Sequence, residues 1–190
     1  YYDNLVEYLK QNNGVLHKRK YTEYSKTILA VTAMGKDARN VGGYNLLKPL
    51  ADFNGVKNQG LNGPIWALIA LNSHPDYEIP KADGDVEQTT EETLIQFILG
   101  RQLEDGGWNL SGEKADSDMT GMALQSLAPY YRKADNEEIT QAVDRGLDCL
   151  ANMQNEAGGF GSMGVETSES NAQVLTALTA LGVDPQTDAR

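Results

Sequence analysis

The sequence predicts an all-α protein built from repeated helical hairpins. Three observations carry this. Gln102-Leu103-Glu104-Asp105-Gly106-Gly107-Trp108 returns as Gln154-Asn155-Glu156-Ala157-Gly158-Gly159-Phe160, each copy between two segments of helical apolar spacing. Thr32-Ala33-Met34-Gly35-Lys36-Asp37 returns as Thr179-Ala180-Leu181-Gly182-Val183-Asp184. Apolar residues elsewhere recur at three- and four-residue intervals between Gly, Asn and Pro stops, as helices require. A motif returning at a fixed interval marks a repeat architecture.

The elements follow in order. Leu5, Val6, Tyr8 and Leu9 give a short helix over 3–10, stopped by Asn12-Asn13-Gly14. Thr22, with Ser25 competing, is expected to cap a helix reaching Met34; Ile28, Leu29, Val31 and Ala33 make it apolar on most sides. A third helix is expected from Asn45 to Phe53, with Pro49 in its first turns and Asn54-Gly55 as the breaker. Gly63-Pro64 opens a fourth, apolar all round through Leu71. Residues 72–88 are polar, acidic and loop-like. The alternating Asp83, Asp85 and Glu87 lack the spacing of a calcium loop, so no metal site is expected.

Thr89 or Thr90 is expected to start the fifth helix, although Thr90 with Thr93 makes no true capping box. The sixth starts near Asp116-Ser117-Asp118 and runs to Tyr131. The seventh, Asn136 to Met153, turns Ile139, Val143, Leu147 and Leu150 inward and Glu137, Gln141, Asp144 and Asp148 outward. The eighth starts near Ser168-Glu169-Ser170 and ends at Gly182. The hairpins are therefore about 3–35, 43–72, 89–131 and 136–183, one repeat domain over 1–190. Within a pair the first helix is amphipathic and the second apolar, which implies two layers. In the repeated turn, Gly-Gly supplies backbone angles closed to other residues. The aromatic covers the turn, and the Gln amide can stack on that ring and bond backbone groups at a helix end. Gln102, Gly106, Gly107, Trp108, Gln154, Gly158, Gly159 and Phe160 are thus read as fasteners between hairpins.

Composition bounds the function. The net charge of −11 disfavours nucleic acid, which needs basic patches. No apolar run reaches the ~20 residues that span a bilayer, and no signal peptide opens the chain, which reads as part of a longer protein. Cys149 is the single cysteine, so no internal disulfide forms; in Gly146-Leu147-Asp148-Cys149-Leu150 it reads as a small buried apolar residue.

The Gln102–Trp108 turn, with Phe97 and Leu99 ahead of it, resembles the QW motif of squalene–hopene cyclases. The hairpins resemble the α/α-toroid superfamily of terpene cyclases, protein prenyltransferase β subunits, complement thioester domains and the cobalamin carriers. Gly42-Gly43-Tyr44-Asn45-Leu46-Leu47, Asn62-Gly63-Pro64-Ile65 and Ser168-Glu169-Ser170-Asn171-Ala172-Gln173 are most similar to prenyltransferase-like repeat proteins of bacterial surfaces. The resemblance implies an α/α toroid of about eight helices in two layers. Closed rings there have five or six hairpins, so four imply an incomplete ring completed by neighbouring domains or an oligomer. It also implies a secreted or cell-surface place.

Class II terpene cyclases use Asp-x-Asp-Asp at an inner-helix start, the central acid protonating the substrate. Here the run is Asp116-Ser117-Asp118-Met119, with Met119 in place of the third Asp, and the matching stretch of the eighth helix reads Ser168-Glu169-Ser170. Helix capping is the simpler reading, and 7% aromatic residues are few for a carbocation pocket. The chain lacks the Asp, Cys and His zinc set of prenyltransferases and the Cys-Gly-Glu-Gln of thioester domains. The expectation is a non-enzymatic ligand- or partner-binding module with no cofactor, cobalamin being the ligand implied by the carriers. The alternatives are a terpenoid-cyclase-like enzyme using Asp118, with Asp116 beside it, and a structural spacer. Inner-helix starts present polar caps and partial positive charge. The ligand-binding candidates there are Tyr24, Ser25, Gln59, Asn62, Asp116, Asp118, Ser168, Ser170, Asn171 and Gln173.

Overall fold

The structure is a computed structural model that describes residues 1–162 and 165–187. It is all-α: α1 (Tyr2–Gln11), α2 (Thr22–Ala33), α3 (Phe53–Lys57), α4 (Asn62–Leu71), α5 (Glu91–Leu99), α6 (Ser117–Leu127), α7 (Glu137–Met153) and α8 (Ser168–Ala180). Two-residue strands β1 (Gly161–Ser162) and β2 (Val165–Glu166) pair antiparallel just before α8. The chain divides into two compact units, Tyr1–Ile95 and Gln96–Arg190.

In the first unit, α2 packs on α4. Gly63 permits close approach at the start of α4, because a Cβ there would drive into the Val56 carbonyl. Seven of the ten α4 residues are buried, as its unbroken apolar run requires. The third helix differs from expectation. Lys48–Ala51 is a 3-10 turn carrying Pro49, and α3 begins only at Phe53, with Asn54 and Gly55 inside it. Asp52 makes this break: its carboxylate caps α3 by accepting from Asn54 N at 3.1 Å. Residues 72–88 form no helix; Phe53 N donates to Glu87 O and Thr89 N to Ala51 O, tying this stretch beside α3.

Two caps also differ. Tyr21, not Thr22, is the N-cap of α2 and makes no side-chain cap bond. Thr90 and Thr93 do form a reciprocal box, Thr93 N donating to Thr90 Oγ1 at 3.1 Å and Thr90 N to Thr93 Oγ1 at 2.9 Å. A threonine hydroxyl at the third position performs the part usually taken by Glu.

In the second unit, α6 packs on both α7 and α8. Gly121 lets α8 approach, since a Cβ there would lie 3.3 Å from Gln173 Cγ. Eight of the eleven α6 residues are buried, against three of the thirteen in α8. α8 packs chiefly on α6 and leaves most of its other residues exposed.

The two Thr-Ala-x-Gly endings agree bond for bond. Gly35 (φ 67°) and Gly182 (φ 70°) take the left-handed angle; Lys36 N donates to Val31 O as Val183 N does to Leu178 O. Asp37 and Asp184 then accept from the backbone N–H two residues on.

Candidate functional site

The expected polar residues at the helix starts are mostly engaged in holding those starts. Gln59 Oε1 accepts from Thr22 N at 3.1 Å and Thr22 Oγ1 at 3.2 Å, linking the start of α2 to the segment before α4. Tyr24 is buried and its hydroxyl accepts from Leu16 N at 3.1 Å. Asn62 is partly buried at the first position of α4. Ser25 is buried with no hydrogen-bond partner for its hydroxyl among the described residues, so it does not cap α2.

Asp116 Oδ1 accepts from Asp118 N at 3.1 Å and Met119 N at 3.0 Å, the expected N-cap of α6. Asn171 Oδ1 accepts from Phe160 N at 2.7 Å, and Gln173 Nε2 donates to Gln125 Oε1 at 3.1 Å across the α6–α8 contact. Ser170 Oγ shares a hydrogen bond with Thr167 Oγ1 at 2.9 Å. Ser168 Oγ donates to Glu169, whose carboxyl is held below its ordinary range by its own backbone N–H and by that serine. Asp118 is partly buried, and its Oδ1 has no partner among the described residues.

The N-cap of α8 is Thr167, which accepts from Ser170 N at 3.0 Å. Asp116 therefore corresponds to Thr167, not to Ser168. The repeat interval is 52 at the turn and 51 at the helix, since 167 − 116 = 51. Backbone bonds confirm the shift: Asp116 N donates to Trp108 O, and Thr167 N to Phe160 O. Asp118 thus corresponds to Glu169 and Thr120 to Asn171.

A first cleft, about 580 Å³, lies in the first unit between Tyr21, Tyr24, Tyr44 and Asp52. Of the expected ligand residues only Tyr24 lines it. Burial, reinforced by the Asp52 carboxylate, raises the Tyr21 phenol above its ordinary range.

The second cleft, about 460 Å³, adjoins the second Gly-Gly turn and none of the expected ligand residues but Asn171 lines it. Its walls are Leu147, Leu150 and Ala151 of α7, the Gln154–Phe160 turn, and Val174, Leu175 and Leu178 of α8. The first turn shows the same surface with something on it. Gln102 Nε2 donates to Gly106 O inside its turn and, at 2.7 Å, to Ala142 O of α7. Arg145 of α7 donates through Nε to Gln102 Oε1 at 3.1 Å. A Cβ on Gly106 (φ 90°) would lie 2.7 Å from Arg145 O, and one on Gly146 would lie 2.9 Å from the Trp108 ring. Trp108 is fully buried, its indole Nε1 donating to Ile98 O at 2.8 Å. The Gln amide thus grips the middle of α7 rather than a helix end.

At the second turn, Gln154 Nε2 makes the intra-turn bond to Gly158 O at 2.9 Å, and among the described residues its Oε1 has no donor. A Cβ on Gly158 (φ 85°) would meet only Gln154 Nε2, at 3.7 Å. Phe160 is partly exposed where Trp108 is buried. Leu124 is 0% exposed, and Leu175, its counterpart 51 residues on, is 51% exposed. The bonds by which the first turn holds α7 have no counterpart at the second turn among the described residues. Sequence reasoning missed Arg145 and Thr120, whose hydroxyl accepts from Trp108 N at 3.0 Å; neither belongs to the repeated motif.

The chain matches no protein-family model, no curated protein and no solved structure.

Proposed function

We propose that this chain is a non-enzymatic binding module of a bacterial surface protein, built as an incomplete α/α toroid. The observation that supports it best is the contrast within the second unit. The polar groups that a cyclase-like site would draw on are largely used as caps, whereas a cleft with an apolar base stands open beside the second turn. Concave, largely apolar surfaces with a few polar groups are where ligands and partners bind. Asp116 spends one oxygen on two backbone N–H groups. The resemblance to surface repeat proteins supplies the location, and its cobalamin-carrier branch supplies cobalamin as the small ligand to try first.

The test is to incubate the chain with squalene, oxidosqualene and polyprenyl diphosphates and look for products. None is expected. Product formation that Asp118→Asn abolishes would replace this reading with the cyclase-like one. A parallel cobalamin titration separates small-ligand binding from partner binding.

A further inference from the structure

The cleft of about 580 Å³ in the first unit is walled by three of the chain's nine tyrosines, Tyr21, Tyr24 and Tyr44. Its volume falls in the ~300–1,000 Å³ range of small-molecule sites. Two glycines seat the outer rings. A Cβ on Gly14 would run into the Tyr44 ring and one on Gly55 into the Tyr21 ring, so each ring rests against bare backbone. Both rings line the cleft and stay partly exposed. Tyr24 stands beside Tyr21, the centroids 5.9 Å apart and the planes tilted by 58°, and it is 4% exposed. Its hydroxyl accepts from Leu16 N at 3.1 Å, and its own O–H has no acceptor among the described residues. Asn45, also on the wall, is half spent in the same way. Its Oδ1 accepts from Leu47 N at 2.9 Å, and its Nδ2 has no acceptor among the described residues. We infer that this cleft binds a saccharide of gluco configuration.

The chemistry of the wall selects that class. Lys48, the cation among the described lining residues, already meets Asp83 at 2.7 Å, so an anion finds no free charge to pair with. The Asp52 carboxylate takes Asn54 N at 3.1 Å and the Tyr21 phenol. What remains unspent is a hydroxyl O–H, an amide N–H and the exposed ring surfaces. An ammonium ion would use the rings, but it brings only donors to groups that are themselves donors. The set asks instead for uncharged oxygens that accept and for apolar C–H surface to lie on the rings. A pyranose with every hydroxyl equatorial supplies both, oxygens around its edge and C–H groups over its two faces. An axial hydroxyl, as in the galacto series, breaks one of those faces.

This goes beyond the binding-module reading, and the cleft shares no residue with the cleft of the second unit. The probe is cellotetraose, titrated into the whole chain by isothermal titration calorimetry, with saturation-transfer difference NMR to map the contact. Saturable binding is expected, with the strongest transfer to ring protons of one glucose face. Tyr44→Ala should weaken binding roughly tenfold and Tyr44→Phe less than about threefold, since the ring carries the contact. Tyr24→Phe keeps its ring, removes the unspent O–H and should weaken binding about fivefold. Circular dichroism checks the fold of each variant, and Tyr24→Phe carries the test if Tyr44→Ala does not fold. The β-linked galactose tetramer should bind about fivefold more weakly than cellotetraose.

The proposal is overturned if cellotetraose shows no saturable binding, if the galactose tetramer binds equally well, or if the binding is weakened by neither Tyr44→Ala nor Tyr24→Phe. Tetramethylammonium binding that Tyr44→Ala removes, without saccharide binding, would give the cleft to a cation and also overturn it. Each of these failures leaves the binding-module reading standing. Substrate turnover dependent on Asp118 removes that reading and leaves the saccharide site, so the two failures are distinguishable.

Discussion

Gly106 and Gly158 hold the same left-handed angle, with different surroundings. Alanine at either position carries the backbone cost of that angle, about 1–2 kcal/mol. At Gly106 the added methyl also meets the Arg145 carbonyl at 2.7 Å, adding about 1–3 kcal/mol of overpacking. Urea unfolding should therefore show Gly106→Ala to be the more damaging; equal losses would mean that α7 does not press on the first turn. Cys149 gives a pH effect. Burial, and then the Asp105 carboxylate, pushes its thiol from the ordinary 9.0 up to about 11. The folded chain holds this proton longer than the unfolded chain, so ionisation favours unfolding. The contribution is whole below pH 9 and is lost between 9 and about 11. It amounts to roughly 2–3 kcal/mol. Stability measured across that window should fall less steeply in Cys149→Ala than in the native chain, where Tyr21 adds a decline common to both.

At the scale of elements, Asp116 and Thr167 cap α6 and α8. Asp116→Ala should lower stability by about 1 kcal/mol, while Asp116→Asn should be nearly neutral, since an amide oxygen accepts the same two bonds. An equal loss in both would mean that the negative charge matters more than the cap. Helix positions were legible wherever apolar spacing ran unbroken for ten or more residues, as in α2, α4 and α7. The third helix was not, because Pro49 and the run Leu46-Leu47 suggested one continuous helix, and the Asp52 carboxylate that restarts it acts through a single bond. The sequence leaves the α8 register open by one residue because Thr167, Ser168 and Ser170 are all acceptable caps by type. Only the bond to Ser170 N selects Thr167. The Gly-Gly turns were legible as structure, but not which one was filled, because the motif is the same whether or not a helix lies across it. α8, with few buried residues, should lose hydrogen-exchange protection before α6.

For the whole molecule, charge is the global term. Lys and Arg number 16 against 27 Asp and Glu, and the ion pairs found among the described residues, Arg39–Asp37, Lys48–Asp83 and Lys57–Glu87, all have solvent-exposed partners. Exposed pairs contribute little, so repulsion among the surplus acids dominates the salt response. Raising sodium chloride from low ionic strength to about 0.15 M shortens the screening length to about 8 Å. The thermal midpoint should rise over that range, and a fall would show the ion pairs outweighing the repulsion.

The lone thiol also makes a clock. Cys149 Sγ lies against the first turn, where a Cβ on Gly107 would be 2.9 Å away, and it is the chain's single cysteine. An alkylating reagent reaches it as a thiolate only when α7 lifts from that turn. Its labelling rate at fixed pH, divided by that of a free thiol, thus counts how often α7 leaves the first turn.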